Sequence, residues 1–196
     1  MADLYLDEVW DKNPFKMYQV MEEMNLFFRM LADRKPVRML EIGILYGGTT
    51  FLFANALQDG GMLISIDKDL PAIYHQFLPY VAAVKRIDIH LLRTDSHSAR
   101  TPELVKTLLQ DRPLDALFID GDHSYDGVKQ DFKMYSPLVR SGGIIGLHDI
   151  VDHPTETNCQ VNLFWKNLLN NPDYEHTEII NDRRQGKCGI GVLFKK

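Results

Sequence analysis

The chain is poor in cysteine, in long apolar runs and in basic charge. Cys159 and Cys188 are its two cysteines in 196 residues, and their separation suits neither a disulfide framework nor a metal-ligand motif. The sequence opens without an apolar leader, and its apolar runs fall short of the roughly 18 residues that a spanning helix needs. These absences predict a protein of the reducing cytoplasm, away from membranes. Lys and Arg number 22 against 27 Asp and Glu, a formal net charge of -5. Such a balance gives no general attraction to phosphate backbones, although Arg183 and Arg184 form a local basic pair, so nucleic acid is not the expected partner.

Two glycine signatures are also missing. The first strand runs into "GILYGG", which is not the G-x-G-x-x-G of dinucleotide folds, and no Gly-Lys-Ser/Thr phosphate loop follows. What remains is an ordinary globular composition, 45% apolar and 25% charged. A chain of this length can bury roughly 70% of its unfolded surface as one domain, and residues 1–196 read as that domain, without repeats or linkers.

Residues 15–32, "FKMYQVMEEMNLFFRMLA", carry Met17, Met21, Met24, Phe28 and Leu31 at helical spacing, which predicts an amphipathic N-terminal helix packed on the domain or touching a ligand. From Val37 the pattern alternates. Strands are expected near 37–42, 62–67, 86–92, 114–119 and 142–148, and helices near 47–59, 70–82, 101–111, 124–137 and 158–170. Apolar runs alternating with amphipathic helices argue for βαβ units and a mostly parallel sheet covered on both faces. The tail "YEHTEIINDRRQGKCGIGVLFKK" reads as a hairpin closed by a polar turn at Gly186. In "LFWKNLL", Phe164, Leu168 and Trp165 make an apolar face for packing against the sheet.

Candidate chemistry collects at strand ends. After the first strand, Gly43, Gly47 and Gly48 precede a helix capped at Thr49 or the residue before it; such a turn permits close ligand approach beside unpaired helix amides, and it also serves packing alone. Asp67 at the second strand tip can accept both hydroxyls of a ribose, with Asp69 as its competitor. The fourth strand delivers Asp120 and His123, the fifth His148 and Asp149. In an open α/β sheet these ends share one crevice. Carboxylates with imidazole suit magnesium or manganese. Zinc or iron on Asp120, His148 and Asp149 is the alternative, disfavoured because both cysteines lie elsewhere in the sequence. Structural readings stand beside these: His123 as a helix-entry residue, His148 as a buried hydrogen-bonded one, and Asp122 as a cap for the helix near Ser124.

Glu41, two residues before Gly43, completes "EIGILYG", which resembles the E/D-x-G-x-x-x-G motif of class I S-adenosylmethionine-dependent methyltransferases. The resemblance implies a doubly wound, seven-stranded Rossmann-like α/β sheet with an antiparallel last strand. It implies S-adenosyl-L-methionine as cofactor, with Glu41, Gly43, Gly47 and Thr49 near its methionine part, and Asp67 at the ribose. Asp95 and Ser96 resemble the pair that meets adenine, although Asp95 also suits a turn cap. "IDGDHSYDGVKQDF" with "LHD" is similar to the metal-dependent O-methyltransferases grouped with macrocin O-methyltransferase (TylF-like) and cephalosporin hydroxylase-like enzymes. Carried over, Asp120 is a metal ligand beside the cofactor, His123 the general base, and Asp149 the second acid, with His148 standing where many relatives have an acid.

The implied activity is methyl transfer to a hydroxyl of a small molecule or sugar, assisted by a divalent cation, in a cleft that a homodimer would also close. His153, in the polar loop bordering the acceptor side, reads as a solvated histidine rather than a ligand. An NAD-dependent oxidoreductase, a hydroxylase and a non-catalytic S-adenosylmethionine-binding protein are the competing readings.

Overall fold

The computed structural model describes residue 13, residues 15–70 and residues 86–196. The helix expected near 70–82 lies outside them, apart from Leu70. The order of elements is α1 (Met21–Arg34), β1 (Arg38–Ile42), α2 (Gly48–Ala56), β2 (Met62–Asp67), β3 (Asp88–Arg93), α3 (Arg100–Leu109), β4 (Leu114–Ile119), α4 (Tyr125–Tyr135), β5 (Val139–His148), α5 (Val161–Leu168), β6 (Tyr174–Ile179) and β7 (Ile190–Lys195). The strands form one seven-stranded sheet in the order β3-β2-β1-β4-β5-β7-β6. Neighbours from β3 to β5 pair in parallel, whereas β7 runs antiparallel between β5 and β6.

Burial explains the continuous apolar runs of β1, β2 and β4, since a parallel sheet hidden on both faces needs no polar side. One face packs α1 and α2, through Met24, Phe27, Phe28 and Phe53, against Met39, Phe118 and Val192. The other packs α3, α4 and α5, through Val105, Phe132, Phe164 and Trp165, against Leu40, Ile64, Leu117 and Ile145. Trp165 lies directly on Gly191, where any side chain would collide with its ring.

The N-terminal helix begins six residues later than the expected start at residue 15. Val20 is extended, and the segment before it wraps the β1–α2 loop: Asn13 donates to the Gly48 carbonyl at 3.0 Å, and Met17 packs where a Gly48 side chain would stand. Met17 is therefore outside the helix and Met21 is exposed, while Met24, Phe28 and Leu31 are buried as the spacing predicts. β5 starts earlier than expected because a register irregularity opposite Leu114 and Ala116 accommodates its first residues, with Gly142 at φ +74°. The terminal hairpin forms with Ile179 opposite Ile190.

The chain passes from β1 outward to β2 and β3, then returns to place β4 on the other side of β1. Such a reversal opens a crevice at the carboxyl ends of the two central strands. Among the described residues no helix is long and apolar enough to cross a membrane.

Candidate active site

The crevice is a cavity of about 580 Å³, within the range of small-molecule sites. Gly43, Thr49, Asp67 and Ser96 line one part of it, and Asp120, His123, His148 and Asp149 another. The strand ends thus bring together eight of the eleven residues singled out from sequence. Glu41, Gly47 and Asp95 do not reach the wall.

Glu41 faces the α2 side of β1 and is fully buried. Its Oε1 accepts from Thr49 Oγ1 at 2.6 Å, and its Oε2 from Thr50 Oγ1 and Ser65 Oγ, each at 2.7 Å. It ties β1 to β2 and to the first turn of α2, where a carboxylate also meets the favourable helix dipole. Burial pushes its pKa up to about 7, against the pull of the three hydroxyls. Thr49 is the residue between this carboxylate and the cavity. It is not the helix cap: Gly47, at φ +79°, holds that position without a side-chain bond.

Asp67 stands at the end of β2 and shapes the loop opposite. Its Oδ2 accepts the amides of Ile44 and Leu45 at 2.8 and 3.0 Å, and its Oδ1 that of Asp69 at 3.0 Å. Each oxygen keeps acceptor capacity for a further donor. Asp95 instead caps its own turn, accepting the His97 amide at 2.9 Å and pairing with Lys68 at 3.4 Å. Ser96 is buried, and its carbonyl accepts the Tyr135 hydroxyl at 2.7 Å.

The ionisable cluster is compact. Asp120 Oδ1 lies 3.3 Å from His123 Nε2 and 3.2 Å from His148 Nδ1. Asp149 Oδ2 lies 3.5 Å from His123 Nδ1, and its Oδ1 accepts the Cys188 amide at 2.9 Å. Burial alone would depress the His148 pKa, but the charges of Asp120 and Asp149 outweigh it and hold the imidazole well above its ordinary value. Burial likewise opposes ionisation of Asp120 and Asp149, and the histidines reverse it, leaving both carboxyls below the usual range. His123 is raised, chiefly by its hydrogen bond to Asp120. Asp122 Oδ1 accepts the Ser124 amide at 2.9 Å, while Ser124 itself caps α4 through the Gly127 amide.

Three residues enter the site against the sequence reading or without a signal in it. His153 is not solvated: its side chain is 8% exposed, with Nδ1 2.8 Å from the Val151 carbonyl and Nε2 3.1 Å from Asp149 Oδ1. Gln19, from the segment before α1, donates through Nε2 to Asp120 Oδ2 at 3.0 Å. Cys188 lines the cavity, so the expectation that both cysteines lie away from the cluster fails. The ligand atoms of His148, Asp149 and Cys188 lie within 4.8 Å of one another, as do those of His123, Asp149 and Cys159. The β6–β7 turn brings Cys188 back over the end of β5, a return that residue spacing does not encode.

The donor set suits a divalent cation. Both ring nitrogens of His148 are buried without a hydrogen bond; Nδ1 lies 3.2 and 3.5 Å from Asp120 and Asp149, and a buried Nε2 without a partner on a ring beside two carboxylates is what an ion would satisfy.

Among curated proteins, the chain is 24% identical over 159 residues to a rhamnosyl O-methyltransferase of Mycobacterium bovis, covering 76% of this chain and 62% of that one. The chain thus spans less than two thirds of that relative's length. Two solved structures share its fold. The O-methyltransferase from Bacillus cereus in complex with SAH superposes with a TM-score of 0.66 at 18% identity, over 98% of this chain and 91% of that one. The O-methyltransferase TomG from Streptomyces achromogenes, involved in tomaymycin synthesis and in complex with SAM, gives 0.65 at 21% identity, over 99% and 90%. The family model described as a methyltransferase domain matches residues 40–150, more than half of the sequence, from within β1 to just past the end of β5, and the chain belongs to that methyltransferase family.

Proposed function

We propose that the protein is an S-adenosylmethionine-dependent O-methyltransferase acting on a hydroxyl of a small molecule or sugar. The observation that carries this is one cavity holding, at one part, Gly43, Thr49, Asp67 and Ser96, and at another the Asp120–His123–Asp149 cluster. Asp67 and the loop it fixes suit a ribose and the methionine part of the cofactor; Ser96 suits adenine. The rhamnosyl relative supports a sugar hydroxyl as acceptor.

In this reading Asp120, His148 and Asp149 would hold a divalent cation. Such an ion, when bound, withdraws electron density from a neighbouring hydroxyl and lowers its pKa. His123, half-exposed at the cavity wall, takes the hydroxyl proton. The oxygen forms its bond to the methyl carbon as the carbon–sulfur bond breaks, and the sulfonium leaves as a neutral thioether. The strand ends contribute alignment of acceptor and methyl group, which is worth several kcal/mol in well-oriented systems. Two free cysteines fit a cytoplasmic setting.

Calorimetric titration of the purified protein with S-adenosylmethionine and with NAD, followed by radiolabelled methyl transfer to rhamnosides, other sugars and catechols, tests the proposal. Saturable binding of S-adenosylmethionine, with label appearing in an acceptor, is expected. Preference for NAD, or no binding to folded protein, overturns it.

A further inference from the structure

Resting on that reading, we infer that Cys188 is a metal ligand and that the site selects a borderline divalent ion of the zinc, cobalt or ferrous class over magnesium. His148, Asp149 and Cys188 are all buried, and their ligand atoms lie within 4.8 Å of one another. Ligand atoms around a tetrahedral zinc sit roughly 3.3–3.8 Å apart, given bond lengths of about 2.0–2.3 Å. Side-chain rotations therefore suffice to close the set.

One observation independent of the cysteine points to an ion here. His148, with a side-chain exposure of 6%, buries both ring nitrogens without a hydrogen bond: Nδ1 has ion-pair contacts to Asp120 and Asp149 at 3.2 and 3.5 Å, and Nε2 has neither kind of partner among the described residues. Asp149 and Cys188 are both non-glycine residues in the left-handed region, at φ 65° and 60°, and they are bonded to each other through the Cys188 amide. Strain of this kind persists where the surroundings over-determine it. Those surroundings are visible: Val151 donates to the Cys188 carbonyl at 3.1 Å, and buried Glu23 of α1 accepts the Gly189 amide at 2.8 Å.

The donor types decide the ion. Magnesium takes oxygen ligands in a near-ideal octahedron and gives up water reluctantly. With Cys188 in place of Asp120 as the third ligand beside His148 and Asp149, one thiolate, one imidazole and one carboxylate instead match the softer end of the divalent series. All three residues line the cavity, so a further coordination position faces the acceptor side, as in catalytic rather than structural sites. On binding, the Cys188 thiol and the His148 imidazolium each release a proton to solvent, and the thiol gives up its contact with the Tyr18 carbonyl, 3.7 Å away; no oxidation state changes.

Full-length metal-free protein titrated with cobalt(II) should develop a thiolate-to-cobalt charge-transfer band in the near ultraviolet, saturating near about one equivalent. Cys188→Ser should abolish the band and weaken zinc binding on the order of 10- to 100-fold, with an unchanged circular dichroism spectrum; Cys188→Ala serves where the serine variant misfolds. Cys159→Ser should keep the band. Magnesium should compete only at concentrations on the order of 1,000-fold higher than zinc. No cobalt–thiolate band, a band lost with Cys159→Ser instead, or magnesium bound as tightly as zinc overturns the inference. Calorimetry of S-adenosylmethionine on the same metal-free protein separates the two readings: cofactor binding without the band sinks the cysteine ligand alone, and a band without cofactor binding sinks the methyltransferase reading alone.

Discussion

Gln19 donates its side-chain amide to Asp120 Oδ2 at 3.0 Å, from a position 101 residues away in sequence. The other Asp120 oxygen faces His123 and His148, so Gln19 fixes the rotation of the carboxylate both histidines meet. It acts through Asp120 and is a positioning residue. Gln19→Ala should lower methyl transfer by about 10- to 100-fold, the usual effect of removing an orienting partner. S-adenosylmethionine affinity should change less than about threefold, because the ribose and loop contacts are untouched. Steady-state rates beside calorimetry read this split; an equal loss in both would make Gln19 part of the cofactor wall.

Asp67 separates two effects within one side chain. Asp67→Ala leaves the Ile44 and Leu45 amides without their acceptor, which costs roughly 1–3 kcal/mol where such groups are shielded from water. Asp67→Asn keeps an oxygen for those amides and replaces the other with a donor, which gives up only the bond from the Asp69 amide, exposed and able to turn to water. It should unfold in urea near the wild-type midpoint yet bind S-adenosylmethionine at least about tenfold more weakly, since ribose hydroxyls donate to a carboxylate better than to an amide. Retained affinity in the Asn variant would take the ribose away from Asp67.

Gly43 joins fold and site at a single atom. Its φ is +91°, and a side chain there would fall on the Asp120 carbonyl, within 2.5 Å of its carbon. Neither backbone can move without opening the β1–β4 pair, which Asp120 extends by donating its amide to Ile42 at 2.8 Å. Gly43→Ala should therefore destabilise by more than about 2 kcal/mol, combining a left-handed backbone penalty with overpacking. Thermal unfolding measures it. A Gly48→Ala comparison is informative because the obstacles there, the Met17 side chain and the Lys16 carbonyl oxygen at 2.7 Å, belong to the segment before α1 rather than to the sheet, and no left-handed backbone penalty adds to them.

The sheet was legible because buried parallel strands write their burial as unbroken apolar runs, and "IDGDH" and "LHD" announce themselves by ending such runs on charge. Gln19 was not. It sits in a stretch whose helical spacing continues through residues 15–20, and only the extended Val20 turns those residues onto the cavity. Cys188 was hidden for a topological reason: β7 inserts between β5 and β6, which returns a turn to the end of β5. His153 looked solvated because its neighbours Asp152, Pro154 and Thr155 are polar or turn-forming, whereas its own ring folds inward onto Asp149. Glu41 shows the limit of a motif, which fixes a residue's position along a strand but not what occupies its oxygens.

Those oxygens lead to a pH effect on folding. Glu41 is raised by burial from 4.5 to about 7 in the folded protein, so folding favours its protonated form. Stability from this proton is full below the unfolded value and is lost as pH rises through the folded one. Against a Glu41→Gln reference, whose neutral amide can pair with rotatable Thr and Ser hydroxyls, wild-type stability should fall by up to about 3 kcal/mol between about pH 4.5 and 7 and then level off. Urea unfolding of both proteins across that range measures the difference directly. A flat difference would mean that Thr49, Thr50 and Ser65, donating together, keep the carboxylate ionised despite its burial. The anion beneath Thr49 would then be permanent, holding the hydroxyl proton and leaving Thr49 to offer the cavity an oxygen acceptor.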